Sequence, residues 1–94
     1  MKTVYALLDP ITLEVRYIGS TKNSLKTRLS AHLSPETCNN KEKTKWIKEL
    51  KSKRKKPFIL PLGIDYDSTL EKYYINYFIE KGHDLFNIMS AIKN

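Results

Sequence analysis

Three side chains in the first third of the chain could remove a proton beside an anion. They are Tyr17, Arg28 and His32, within the run Tyr-Ile-Gly-Ser-Thr-Lys-Asn-Ser-Leu-Lys-Thr-Arg-Leu-Ser-Ala-His from Tyr17 to His32. Arg28 and His32 are four residues apart, so on a helix they share a face. Tyr17 ends an extended stretch just before Gly19, where the chain turns. A phenol at a strand end, a guanidinium and an imidazole can therefore converge on one point. That trio suits an anionic substrate from which a proton must be taken. The plainer reading is a surface Arg, a surface His and a half-buried Tyr, and a short motif does not by itself separate the two.

Several elements must position these groups. Thr3-Val4-Tyr5-Ala6-Leu7-Leu8 is rich in strand formers and is stopped by Asp9-Pro10. Val15-Arg16-Tyr17-Ile18-Gly19 resumes as a second strand, so the pair reads as a hairpin. Alternation puts Tyr17 on the same face as Val15 and Tyr5 opposite Val4. The connection is too long to set the register of the two tyrosines. The helix carrying Arg28 and His32 spans about 24–33, behind a polar cluster (Ser20, Thr21, Asn23, Ser24) in which any member could cap it. Leu25, Leu29 and Leu33 form its apolar stripe, and Ser34-Pro35 ends it.

A loop over Glu36–Asn40 leads to a second helix from about Lys41 to Lys53, with Trp46, Ile47 and Leu50 as its core stripe. Trp46 reads as a core anchor ahead of a base-stacking residue. After Pro57 comes an apolar run in which Pro61 and Gly63 argue for an edge or irregular strand. Ser68-Thr69-Leu70-Glu71 matches the capping-box pattern and opens a third helix. Leu70, Tyr73, Tyr74, Tyr77 and Phe78 follow at helical spacing, and Gly82 is the expected C-terminal cap. Glu71 has two readings here, a cap partner or a hard-oxygen ligand for a divalent metal. Leu85-Phe86-Asn87 places an amide inside an apolar segment, where it needs partners.

Composition bounds the possibilities. Ninety-four residues, 40% of them hydrophobic, make one small folded domain with a single core. No apolar run reaches the length of a membrane span, and no secretory leader is evident. One cysteine, Cys38, forms no internal disulfide, so a cytoplasmic setting is expected. Seventeen Lys and Arg against ten Asp and Glu give a net charge of +7. Such an excess attracts polyanions, nucleic acid foremost, through counterion release. Between Lys41 and Lys56 stand nine basic residues against Glu42 and Glu49, a concentration that fits a phosphate-tracking face including Lys51, Lys53, Arg54 and Lys55.

Taken in order, Val4-Tyr5, Tyr17-Ile18-Gly19, Arg28 and His32, Lys45-Trp46-Ile47, Glu71 and Leu85-Phe86-Asn87 resemble the GIY-YIG nuclease family over nearly the whole chain. The resemblance implies a single α+β domain over 1–94, a three-stranded antiparallel sheet flanked by about three helices. It implies an endonuclease that hydrolyses DNA phosphodiesters with one divalent metal, Mg²⁺ or Mn²⁺ in its place, held by Glu71. It places Tyr5 and Tyr17 at the family tyrosines, one of which handles the attacking water. It sets Arg28 at the scissile phosphate, His32 where relatives carry His or Tyr, and Asn87 as a supporting amide. Gly19, Lys22 and Lys26 fall beside the substrate. One departure is visible, since the Gly-Ile before the first family tyrosine is Thr3-Val4 here.

The chemistry agrees with those roles on its own terms. A metal ion acts as Lewis acid at a phosphoryl oxygen. Arg28 offers a planar fork for two phosphate oxygens that Lys does not. A tyrosine base has an ordinary value near 10 and needs neighbouring cations at neutral pH. Duplex or branched DNA is the expected partner, with a further protein as a source of specificity. The alternatives are a nucleic-acid-binding module that keeps the fold without chemistry, and a basic domain that binds an acidic protein.

Overall fold

A computed structural model of the chain describes residues 1–33, 41–67 and 69–86. Six elements appear in order: β1 (Lys2–Leu8), β2 (Val15–Thr21), α1 (Leu25–His32), α2 (Lys41–Ser52), β3 (Phe58–Asp65) and α3 (Leu70–Glu80). The strands form one antiparallel sheet in the order β2-β1-β3. This is the α+β architecture expected from the sequence. The loop expected over Glu36–Asn40 lies outside the described residues.

The central strand explains its own composition. Val4, Tyr5, Ala6 and Leu7 are all fully buried, an unbroken run that only a strand covered on both faces can hold. On one face Val4, Ala6, Val15 and Ile18 pack with Ile75, and with Leu70, Tyr74, Phe78 and Ile79 of α3. On the other, Tyr5 and Leu7 pack with Trp46, Ile47 and Leu50 of α2 and with Leu25, Leu29 and Leu33 of α1. The sheet is thus a middle layer, with α3 behind it and α1 and α2 in front.

Register corrects one expectation. Leu7 pairs with Tyr17 but Leu8 pairs with Val15, so Arg16 is an extra residue in a β-bulge. The bulge turns Val15 and Tyr17 to opposite faces, whereas simple alternation put them together. Tyr17 thereby joins Tyr5 on the front of the sheet. Strand β3 is an edge strand with a second irregularity, between its pairings at Gly63 and Pro61. Pro61 can sit there because an edge strand leaves its missing N–H without a ladder partner.

The helix ends are set by local chemistry. Ser24 caps α1, its Oγ accepting the Thr27 N–H at 3.1 Å. Trp46 anchors α2 in the core, and its Nε1–H donates to Asp9 Oδ2 at 3.0 Å. That helix closes with Arg54 in the left-handed region (φ 59°), Arg54 N–H bonded to Lys51 O and Lys55 N–H to Leu50 O. A Schellman turn usually puts glycine there, and this one uses Arg54. The same turn ends α3 with Gly82 at φ 91° and bonds from Gly82 to Ile79 O and from His83 to Phe78 O. Two expectations for α3 change. Its cap residue is Thr69, whose N–H and hydroxyl both bond to Asp67 Oδ1, so Glu71 is one position too early for the box. Tyr73 and Tyr77 face solvent, and Ile75 takes the buried position instead.

Candidate active site

The hydroxyl of Tyr5 is the point on which the front of the sheet converges. Its side chain is completely enclosed. Arg28 donates to the hydroxyl oxygen through Nε at 3.0 Å. His32 Nε2 lies 2.6 Å from the same oxygen. Arg28 and His32 reach it together because they are one helical turn apart on α1, and α1 lies against this face. Gly19 pairs directly with Tyr5 across the strands, and a Cβ on it would stand 2.5 Å from the Tyr5 oxygen. Gly19 therefore supplies room for the hydroxyl and is buried beneath it.

His32 is itself buried, and its second ring nitrogen is engaged. Lys43 Nζ lies 2.7 Å from Nδ1. The ring of Tyr17 meets His32 edge-on at a centroid distance of 5.4 Å, and Tyr5 does so at 5.7 Å. Lys43 Nζ also sits 4.6 Å above the Tyr17 ring. Burial, then the charges of Lys43 and Arg28, push the His32 imidazole down to about 3, so it is neutral at physiological pH. Burial raises the Tyr5 phenol above its ordinary value, and the hydrogen bond and charge of Arg28 act against that shift. The negative charge of Glu71 pushes Tyr5 further up, so the carboxylate is close enough to be felt there.

Glu71 is half-buried in the first turn of α3. Among the described residues no group of three or more His, Cys, Asp and Glu side chains could hold a metal ion. Glu71 therefore belongs to no closed cage of such side chains among the described residues. Asn87 lies outside the described residues.

The basic residues divide. Lys22, Lys26, Lys53, Arg54 and Lys55 are exposed. Lys51 is exposed too, but its ammonium donates to the Leu33 carbonyl at the end of α1, so it ties two helices together as well as adding charge. A narrow cleft lined by His32, Thr44, Ile47, Lys48 and Lys51 runs between α1 and α2. The residue missed by sequence reasoning is Lys43, which is buried although it sits in a lysine-rich helix. The signal was present. Lys43 is in phase with Trp46, Ile47 and Leu50, so a lysine occupied the core stripe.

No curated protein and no solved structure matches the chain. A family model described as the GIY-YIG catalytic domain matches residues 1–82 of the 94. The chain belongs to the GIY-YIG family and carries its catalytic domain, that of a nuclease family whose members act on DNA.

Proposed function

We propose that this domain is a divalent-metal-dependent endonuclease that hydrolyses DNA phosphodiester bonds. The observation that carries the reading is the convergence of Arg28 and His32 on the Tyr5 hydroxyl, with Tyr17 beside them and the Glu71 charge within reach. Mg²⁺ suits the donor set, because it binds through one or two carboxylates and keeps several waters. Glu71 would hold it, with Mn²⁺ as an equivalent, and the bound ion would supply Lewis-acid stabilisation of charge on the phosphoryl oxygens.

The protein's own residues do the rest. Arg28, aimed by its Nε bond to Tyr5, binds the phosphate and favours the added charge of the transition state. Exposure divides the two tyrosines. Tyr5 is fully enclosed and holds Arg28 and His32 in place, while Tyr17 is half-buried and accepts a hydrogen bond from the attacking water. Lys22, Lys26, Lys53, Arg54 and Lys55 track the DNA backbone by charge, so affinity should fall linearly in log terms with salt. Neither duplex nor branched DNA is favoured by a specific contact. A partner protein would be one source of specificity.

The test is nicking of supercoiled plasmid by the wild-type chain with Mg²⁺ or Mn²⁺, with EDTA, and by Glu71→Gln. Cleavage should require metal and vanish in the variant, which keeps its fold because Asp67 and not Glu71 holds the Thr69 N–H. A Glu71→Gln protein that cuts at the wild-type rate would remove Glu71 from the site. A wild-type protein that binds plasmid and never cuts it would be a binding module only.

A further inference from the structure

Lys43 holds a place that neither core packing nor backbone tracking of DNA explains. It is only 5% exposed, on a helix whose other lysines are exposed. Its Nζ makes a 2.7 Å contact with His32 Nδ1 and lies over the Tyr17 ring. An ammonium has three donors and no acceptor. Nδ1 must therefore accept from it, and a neutral imidazole that accepts at Nδ1 carries its proton on Nε2. Nε2 faces Tyr5 at 2.6 Å, so it donates to the phenol oxygen. Arg28 Nε–H donates to that oxygen as well. Both lone pairs of the Tyr5 oxygen are then occupied, and the hydroxyl proton must point out of the chain of bonds.

Resting on the nuclease reading above, we propose that Lys43 is a positioning residue that fixes His32 as its neutral Nε2–H tautomer, so that Tyr5 acts as acceptor to both Arg28 and His32. Without the ammonium, His32 is free to take the other tautomer. Nε2 would then accept from the Tyr5 O–H, so the phenol proton that pointed out of the chain of bonds would be spent inside it, while the oxygen kept a lone pair for Arg28. Lys43 acts on this geometry through His32, and on Tyr17 by lying over its ring. The charged and titratable groups around His32 are Tyr5 on β1, Tyr17 on β2, Arg28 on α1 and Lys43 on α2. Lys48 and Lys51 line the cleft beside it, and Glu71 on α3 acts through Tyr5.

The experiment is ¹⁵N NMR of histidine-labelled protein, His32 assigned by His32→Gln, with plasmid nicking in Mg²⁺ measured on the same samples. Wild-type His32 should show a bare Nδ1 and a protonated Nε2, unchanged from pH 8 to pH 5. Lys43→Met, which keeps length and loses the ammonium, should move the signals to the other tautomer or a mixture. Lys43→Arg keeps donors only and should restore the tautomer. A wild-type spectrum with the proton on Nδ1 overturns the proposal even if no variant folds. So does a Lys43→Met protein with the wild-type tautomer. Absence of cleavage by the wild type would sink the nuclease reading, while the tautomer signal reports on Lys43 separately.

Discussion

Lowering the pH from 8 to 5 should remove about 2 kcal/mol of folding stability from this domain through His32 alone. Folded His32 titrates at about 3, held there by burial and by the charges of Lys43 and Arg28. In the unfolded chain the imidazole returns to about 6.5. Between those values the unfolded state binds a proton that the native state refuses, so stability rises with pH. The contribution is fully present above about 6.5 and is lost progressively as pH falls toward 3. At pH 5 the unfolded group lies roughly 1.5 units above the solution, and each unit is about 1.36 kcal/mol, which gives the loss of about 2 kcal/mol. Any folded value below about 4 yields nearly the same loss at pH 5, so the magnitude does not lean on the low figure.

Urea unfolding at constant ionic strength, at pH 5, 6, 7 and 8, is the assay, read by the fluorescence of the single tryptophan, Trp46. Staying above pH 5 keeps the carboxylates out of the measurement. One of them, Asp9, is pushed up by burial yet brought below its ordinary value overall by bonds from Trp46, Ile11 and Thr12. His32→Gln should flatten the slope, because an amide can donate to Tyr5 and accept from Lys43 without titrating. His83→Gln serves as the control for the other histidine. A wild-type stability that stays level from pH 8 to pH 5 would refute the reasoning. A slope that survives in His32→Gln and disappears in His83→Gln would do the same.

Other perturbations separate the roles of neighbouring groups. Arg28→Lys keeps the charge and loses the planar fork and its Nε bond to Tyr5, so kcat should drop about 100-fold while duplex affinity, measured by fluorescence titration, hardly moves. Tyr5→Phe strands the Arg28 and His32 donors and should cost about 1–3 kcal/mol in urea unfolding, whereas Tyr17→Phe should leave stability near wild type and abolish nicking. Gly19→Ala drives a methyl into the Tyr5 ring and should destabilise by about 1–3 kcal/mol. Arg54→Gly relieves a left-handed backbone position, for a gain of about 0.5–1 kcal/mol in unfolding free energy, and lowers the salt dependence of DNA binding by about one phosphate contact.

Element order was legible because it is written in local patterns: strand formers before Asp9-Pro10, leucines every fourth residue in α1, and Gly82 after α3. Register was not, because a bulge at Arg16 changes the face of Tyr17 without altering composition. Glu71 was ambiguous for a related reason. A capping box depends on where the first helical turn starts, and Asp67 captures Thr69 so that α3 starts one residue late. The solvent-facing tyrosines of α3 share their spacing with its buried residues, so periodicity alone does not sort them. Lys43 hid among lysines of opposite fate, although its phase with Trp46, Ile47 and Leu50 marked it as inward-facing.

The Val4 half of the departure from the family's Gly-Ile has a structural answer. Side chains alternate along β1, so Val4 and Tyr5 belong to different layers. Val4 packs behind the sheet with Ala6, Ile18 and Ile75, away from every group that reaches the Tyr5 hydroxyl. A larger or smaller apolar residue there alters the rear core and not the front. Tyr5 and Gly19 have no such latitude. They are cross-strand partners, and the hydroxyl of one occupies the space the other leaves by lacking a Cβ. The tyrosine of the first motif and the glycine of the second are therefore one steric unit, split between two strands. Tyr17, two residues before that glycine, is brought to the same face by the pleat. The spacing within Tyr17-Ile18-Gly19 thus follows from the need to seat one phenol and present another beside it.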